Sequence, residues 1–328
     1  MRPFAYSRPP DEKEALALGS AAEGGQYLAG GTTLVDLMRL DVMRPSRLID
    51  VGGLTLGRVE RDGDGVRIGA TVKNSDLAHH PLIAERYPVL REALLSGASP
   101  QLRNMASTAG NLMQRTRCRY FRDTGSACNK REPGTGCAAI GGYTRTHAVL
   151  GGSEHCIATH PSDMCVGLLA LDAVVHSRKA DGTARSTPFE GFHLVPGETP
   201  HLETVLEPGE LITHVTLPLS RFARHSHYVK VRDRAAYAFA LASAAVALDI
   251  RDGVIADARV ALGGVATKPW RSHDAERALA GKPASLETYR AAGDAAVLGA
   301  VGRGQNNFKI ELARRTVVRA LRELGVTT

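Results

Sequence analysis

Five cysteines lie at positions 118, 128, 137, 156 and 165, and the chain has none elsewhere. Random scatter rarely bunches all of them into one stretch. An odd count argues against a complete disulfide framework. No CxxC pair occurs, which disfavours a zinc ribbon or a thioredoxin-like site. The spacing C-x9-C-x8-C-x18-C-x8-C matches no ordinary ferredoxin run. Four thiolates on one irregular stretch can nonetheless hold a [4Fe–4S] cube. Arg115, Arg117, Arg119, Arg122, Lys130 and Arg131 crowd the same region, with only Asp123 as an acidic residue among them. Such charge lowers thiol pKa values and offsets an anionic cluster. The residues by themselves leave reduced structural thiols and a zinc site open as well.

Two further stretches carry backbone chemistry. Gln26, Tyr27, Leu28 and Ala29 lead into Gly30-Gly31-Thr32-Thr33 and then Leu34. Glycine lets a backbone approach a phosphate closely, and N–H groups entering a helix make an anion site. The stretch Arg103-Asn104-Met105-Ala106-Ser107-Thr108-Ala109-Gly110-Asn111-Leu112 has the same small, donor-rich character. Neither is GxGxxG, so a Rossmann site is not supported, and no Gly-Lys-Ser/Thr marks a Walker loop. Each alone reads more readily as a plain turn, whereas two in one domain make a two-phosphate ligand more plausible than either alone. Among the twelve histidines, His79-His80 precede Pro81, while His155 and His160 flank the cysteine region. Solvated or capping roles are expected for these.

The elements that must position these groups follow from periodicity and length. The 328 residues suffice for two domains. Hydrophobic content of 43% and charged content of 23% exclude wholesale disorder. The net charge of +7 permits an anionic ligand, but an aromatic share of 5% argues against nucleic acid. No apolar run is long enough for a membrane span. The first residues lack an apolar signal core. No export signal of its own is therefore expected: the protein would be cytoplasmic, or periplasmic if co-exported with a signal-bearing partner. Strands are predicted at 27–29, 48–51 and 66–70, and helices at 75–78 and 82–95, with a Gly-containing turn at 107–112. Residues 115–158 show little periodicity, and an irregular stretch so long needs a staple. A strongly apolar run at 164–175 and a strand at 210–218 close the first unit. After a polar link, strands at 239–250 and 254–262 flank an Asp252-Gly253 hairpin signal. Helices at 274–280, 285–301 and 311–324 complete an α+β unit of about 100 residues.

Leu28-Ala29-Gly30-Gly31-Thr32-Thr33-Leu34 and Arg103-Asn104, with Thr108-Ala109-Gly110-Asn111-Leu112, resemble the two flavin-binding signatures of the FAD subunits of the xanthine dehydrogenase, or molybdenum hydroxylase, family. The likeness continues through Ser162-Asp163, Glu210-Leu211-Ile212, Tyr228-Val229-Lys230-Val231-Arg232 and Leu262-Gly263-Gly264-Val265, with Pro269 and Arg271. It spans nearly the whole chain in order. Ala109 departs from it, standing where a second glycine is usual, so its methyl should crowd the phosphate approach. The resemblance implies an α+β fold. A PCMH-type FAD-binding domain of two α/β subdomains would cover 1–220, with an insertion at about 115–158. A CO dehydrogenase flavoprotein-like C-terminal domain, a three-stranded antiparallel sheet plus helices, would cover 221–328. It implies non-covalent FAD, its pyrophosphate wrapped by residues 26–34. Thr108, Gly110 and Asn111 would bond phosphate or flavin edges. Asp163 would bind near the ribityl or flavin polar groups, and Ile212 near the isoalloxazine. Lys230 would place positive charge beside the flavin and favour an anionic reduced ring.

Between Asn111 and Asp163 lie more residues than such flavin domains ordinarily have, and the cysteines fill the excess. This insertion is similar to that of the FAD subunits of periplasmic-type bacterial aldehyde oxidoreductases, and more distantly of 4-hydroxybenzoyl-CoA reductase. Both carry a [4Fe–4S] cluster there. On that likeness Cys118, Cys128, Cys137 and Cys156 would be the ligands. Cys165, in the apolar run, would be a packing residue. The chain lacks C-x4-C-x2-C and room for a molybdopterin domain. The resemblance therefore implies an electron-output oxidoreductase subunit, served by a molybdopterin-binding large subunit and a [2Fe–2S] small subunit and passing electrons to an external acceptor. Another molybdenum hydroxylase of the xanthine dehydrogenase or hydroxybenzoyl-CoA reductase type, a stand-alone flavin oxidase and a non-redox, metal-stapled assembly protein are the rival readings.

Overall fold

The computed structural model describes residues 1–21 and 24–325. Three sheets organise it. The first is parallel, with strands Ala5–Ser7, Arg47–Asp50 and Gly25–Leu28 in that order. The second is antiparallel, in the order Val59–Asp62, Gly65–Gly69, Leu211–Leu217, Val174–Arg178, Ala184–Pro188. The third is also antiparallel, and runs Trp270–Arg271, Val254–Gly263, Ala242–Arg251, Ser226–Val231. Helices pack on all of them, so the α+β expectation holds. The C-terminal sheet has the three long strands expected plus a two-residue fourth.

Local chemistry explains where elements begin and end. Asp252 and Gly253 both sit at positive φ, 49° and 75°, as a tight hairpin turn requires. The stretch read as one helix over 82–95 is two, Pro81–Arg86 and Pro88–Ser96. Pro88 has no N–H to continue the first and is well suited to start the second. The turn read at 107–112 winds into the helix Thr108–Leu112, because the Ser107 hydroxyl accepts the Gly110 N–H at 3.2 Å. The apolar run from 164 opens as the helix Asp163–Ala170, capped by Ser162, before the strand Val174–Arg178.

The main core lies between the five-stranded sheet and the helices Pro88–Ser96 and Asp163–Ala170, around Ile68, Leu90, Leu168 and Val215. Each such side chain contributes about 1.5–3 kcal/mol on burial. A second core fills the C-terminal unit, where Leu248, Val260 and Leu279 meet Val317 of the helix Phe308–Gly325. Residues 115–158 contain one short helix, Arg119–Arg122. The end of this segment is stitched to the C-terminal unit: Val149 and Leu150 N–H donate to Val265 O at 2.8 and 3.1 Å, and Val301 N–H donates to Val149 O at 2.8 Å.

Candidate functional site

The two small-residue turns form one cradle. A Cβ at Gly30 would overlap the Met105 carbonyl, so only glycine lets the turns touch. Gly31 has φ +73°, a left-handed conformation that β-carbon-bearing residues resist. Two cavities open on either side of Thr32 and Thr33, which line both. The smaller, about 580 Å³, holds Gln26, Tyr27, Ala29, Leu34, Gly110 and Ile212 in its wall. The larger, about 820 Å³, is lined by Asn111, Asp163 and Lys230. Lys230 lines the larger cavity and Ile212 the smaller, and the two cavities adjoin at Thr32, Thr33 and Gln114. Leu28 packs beside Gly31 rather than lining either cavity. Thr108 is buried and lines neither cavity; its hydroxyl and its N–H both donate to Val72 O, at 3.1 and 2.9 Å, so neither donor faces a ligand. Ala109 donates its N–H to Ala70 O at 2.9 Å, and its methyl forms part of the smaller cavity's wall.

FAD fits this arrangement. The glycine cradle lies between two cavities, one for each end of a dinucleotide. Asn74 Oδ1, Arg103 Nε and Arg117 Nε are buried without a hydrogen-bond partner, and all three residues line the larger cavity. Unpaired buried polar atoms are costly unless a ligand completes them. In the same wall, Asp163 accepts hydrogen bonds from Lys230 Nζ at 2.7 Å and Tyr228 OH at 2.6 Å. Lys230 also donates to Ser96 O at 3.0 Å. Burial, ahead of the neighbouring Asp163 charge, holds the Tyr228 phenol protonated far above its usual range.

Cys118, Cys128, Cys137 and Cys156 converge on one small cavity, together with Tyr120, Phe121, Asn129 and Lys130. Cys128 and Cys137 pair across a tight loop, braced by Asn129 N–H to Gly136 O at 2.7 Å and Ala138 N–H to Ala127 O at 3.0 Å. Ala158 N–H points to Cys156 Sγ at 3.5 Å. Phe121 packs with Leu37 and Cys128, and Arg117 and Arg122 hold Asp36 at 2.9 and 2.8 Å. The helix leaving the glycine turn, Leu34–Arg39, is therefore bolted to the cysteine segment. Those ion pairs hold Asp36 below the usual carboxylate range, the Arg122 hydrogen bond contributing most.

The arginines act differently from the expectation. Arg115 pairs with Glu203, Arg117 and Arg122 with Asp36, and Arg131 donates to the Tyr120 and Phe121 carbonyls. They brace the loop rather than lower the thiols. Burial instead pushes Cys118 up to about 12 and raises Cys156. Cys165 lies elsewhere, fully buried beside Asn111 O and pushed up to about 12 by burial.

Several residues near the site carry no sequence signal. His147 places Nε2 at 3.2 Å from Cys118 Sγ, and desolvation lowers its pKa to about 4. Lys309, wholly buried, donates to the carbonyls of Thr146, His147 and Gly264 at 3.3, 2.9 and 2.5 Å. His160 is not a solvated residue: its ring meets His193 edge-on at 4.6 Å, and its Nε2 is buried. Together with Cys165 these two offer ligand atoms within 4.8 Å of one another. His193 Nε2 donates to Leu112 O at 3.0 Å and His160 Nδ1 accepts the Ser162 N–H at 3.4 Å, while His193 Nδ1 and His160 Nε2 are buried without a hydrogen-bond partner.

Residues 2–220 match the family model described as the FAD binding domain in molybdopterin dehydrogenase, and residues 227–324 the CO dehydrogenase flavoprotein C-terminal domain. The chain is 50% identical over 325 residues, 98% of either chain, to the aldehyde oxidoreductase FAD-binding subunit PaoB of Escherichia coli (strain K12). It is similar to a solved carbon monoxide dehydrogenase from Hydrogenophaga pseudoflava, with a TM-score of 0.76 and 28% identity over 98% of both chains. Quinoline 2-oxidoreductase from Pseudomonas putida 86 shares the fold, with a TM-score of 0.77 and 22% identity, covering 99% of this chain and 98% of that one.

Proposed function

The chain belongs to the FAD-binding flavoprotein subunits of molybdenum hydroxylases, and from that premise we propose that it is the FAD- and [4Fe–4S]-containing electron-transfer subunit of a heteromeric aldehyde oxidoreductase. Its partners would be a molybdopterin-binding large subunit and a [2Fe–2S] small subunit. Aldehyde oxidation on the large subunit releases two electrons, which reach this chain through the small subunit and leave to an external acceptor. Half-identity along its full length to an aldehyde oxidoreductase subunit supports the substrate class.

The observation that carries the cluster is the convergence of Cys118, Cys128, Cys137 and Cys156 on one cavity. Four thiols facing one cavity supply the ligand number a [4Fe–4S] cube needs, and the metal content distinguishes it from a zinc thiolate.

Bound FAD supplies a carrier that exchanges electrons singly or in pairs. The turns at Gly30, Gly31, Thr32, Thr33 and Gly110 would hold its pyrophosphate. Lys230, held by Asp163, would present a positive wall to the flavin end in the larger cavity, and Ile212 an apolar wall to the other end. Residues 1–220 and 221–328 are the two domains of this reading, with the cluster insertion at about 115–158.

Purification from the native host with co-purifying chains tests this. One releasable FAD, four irons and four acid-labile sulfides per chain, with aldehyde-dependent dye reduction by the assembly, are expected. Zinc in place of iron in anaerobically prepared protein would overturn the cluster. A flavin-containing assembly that ignores aldehydes would overturn the substrate class.

A further inference from the structure

Cys118 differs from the other three thiol residues at the cluster cavity. It also lines the larger cavity beside Lys230 and Asp163, and so does His147. The other three cysteines do not line that cavity. His147 is buried, with 2% of its surface exposed, and its Nε2 lies 3.2 Å from Cys118 Sγ. Its Nδ1 is buried with no hydrogen-bond partner. A neutral imidazole carries one N–H; with Cys118 as a metal-bound thiolate the sulfur can only accept, which puts the proton on Nε2.

The backbone that carries the ring is held in place, and the ring itself lies against Tyr120, centroids 6.1 Å apart. His147 N–H donates to Thr144 O at 2.8 Å, while its carbonyl takes the Lys309 ammonium at 2.9 Å. Asn306 Nδ2 fixes the next carbonyl, Ala148 O, at 3.0 Å. Cys118 is fixed from its own side by Thr116 Oγ1, which accepts the Cys118 N–H at 3.2 Å.

We propose that His147 sets the reduction potential of the iron–sulfur cluster by donating its Nε2–H to the Cys118 thiolate, the ligand on the flavin side. This rests on the cluster reading above. Reduction places one more electron on the cluster and its sulfurs. A fixed N–H aimed at one of those sulfurs favours the electron-richer state and raises the potential. Because Cys118, alone of the four, also borders the larger cavity, the donor would act on the ligand that faces the flavin of this reading.

The test uses the intact assembly. Iron, acid-labile sulfide and flavin per chain are measured first, then the cluster midpoint by a redox titration followed by electron paramagnetic resonance. His147→Leu is expected to lower the midpoint with iron, sulfide and flavin unchanged, and His147→Gln, which keeps an N–H, to recover part of the shift. An unchanged midpoint in a fully loaded His147→Leu assembly overturns the proposal while leaving the cluster reading intact. A wild-type subunit without iron and sulfide overturns both. Should His147→Leu lose iron, wild-type protein with 15N-labelled histidine in D2O decides instead. A histidine nitrogen and one exchangeable deuteron coupled to the reduced cluster are expected, and their absence overturns the proposal.

Discussion

Lys230 Nζ lies 2.7 Å from Asp163 Oδ2, and the two side chains are only 4% and 9% exposed. Each was expected beside the flavin on its own account. Together they form a buried ion pair whose partners come from different units, the helix Asp163–Ala170 and the strand Ser226–Val231. Lys230→Met would leave the Asp163 carboxylate uncompensated, at a cost of about 3–5 kcal/mol. Urea unfolding of the two single variants and of Lys230→Met with Asp163→Leu should show the double variant losing less than Lys230→Met alone.

Gly31→Val should fold and yet retain little or no flavin. Its φ of +73° is strained for a β-branched residue, and Val35 Cγ2 would stand 3.1 Å from the new Cβ. Released flavin fluorescence per mole of chain measures this. Wild-type occupancy would show that the turn is not the cradle.

Single replacement of Cys118, Cys128, Cys137 or Cys156 by alanine should strip most of the iron and lower solubility, because the surrounding segment is otherwise irregular. Cys165→Ala should keep the iron and cost about 1 kcal/mol, a small core truncation. Iron and sulfide per chain across the five variants would reverse the ligand set if Cys165→Ala lost iron and Cys156→Ala kept it.

His227 bridges Glu92 Oε2 at 2.9 Å and Glu323 Oε2 at 3.0 Å, joining the first unit to the last helix. The Glu92 hydrogen bond, foremost, raises its pKa. The folded protein binds that proton more tightly than the unfolded chain. The stabilisation is therefore complete below the ordinary imidazole value of about 6.5, and fades as pH climbs through the raised value. Melting temperature measured from pH 6 to 9 should fall in the wild type, and fall less in His227→Gln.

How much was legible beforehand depends on how far apart the partners lie. The convergence of four cysteines on one cavity could be read because they lie bunched on one segment, and the glycine turns because a close backbone approach excludes other residues. The Asp252-Gly253 hairpin was equally local. The Asp163–Lys230 pair was not legible, since sequence separation conceals which carboxylate meets which ammonium. His147 and Lys309 gave no signal either. A lysine near the start of an amphipathic helix reads as solvent-facing, and only tertiary packing turns it inward onto three carbonyls. The arginine-rich stretch misled in a specific way. Charge density is visible in a sequence, but the direction of each guanidinium is not, and here most point to carboxylates and carbonyls.

Lys309 and its neighbours also constrain the order of biosynthesis. Thr144 Oγ1 donates to Arg303 O at 2.6 Å, and Asn306 and Lys309 hold the carbonyls that follow. These partners lie some 160 residues downstream, which at ribosomal speed is on the order of ten to thirty seconds of further elongation. The nascent cysteine segment must wait through that interval with its thiols buried incompletely and its bed unfinished. On the proposed cluster reading, the bed for iron and sulfide would be complete only on a chain whose translation is essentially over. A truncated product ending before residue 303 would carry all five cysteines without the contacts that hold residues 144–148.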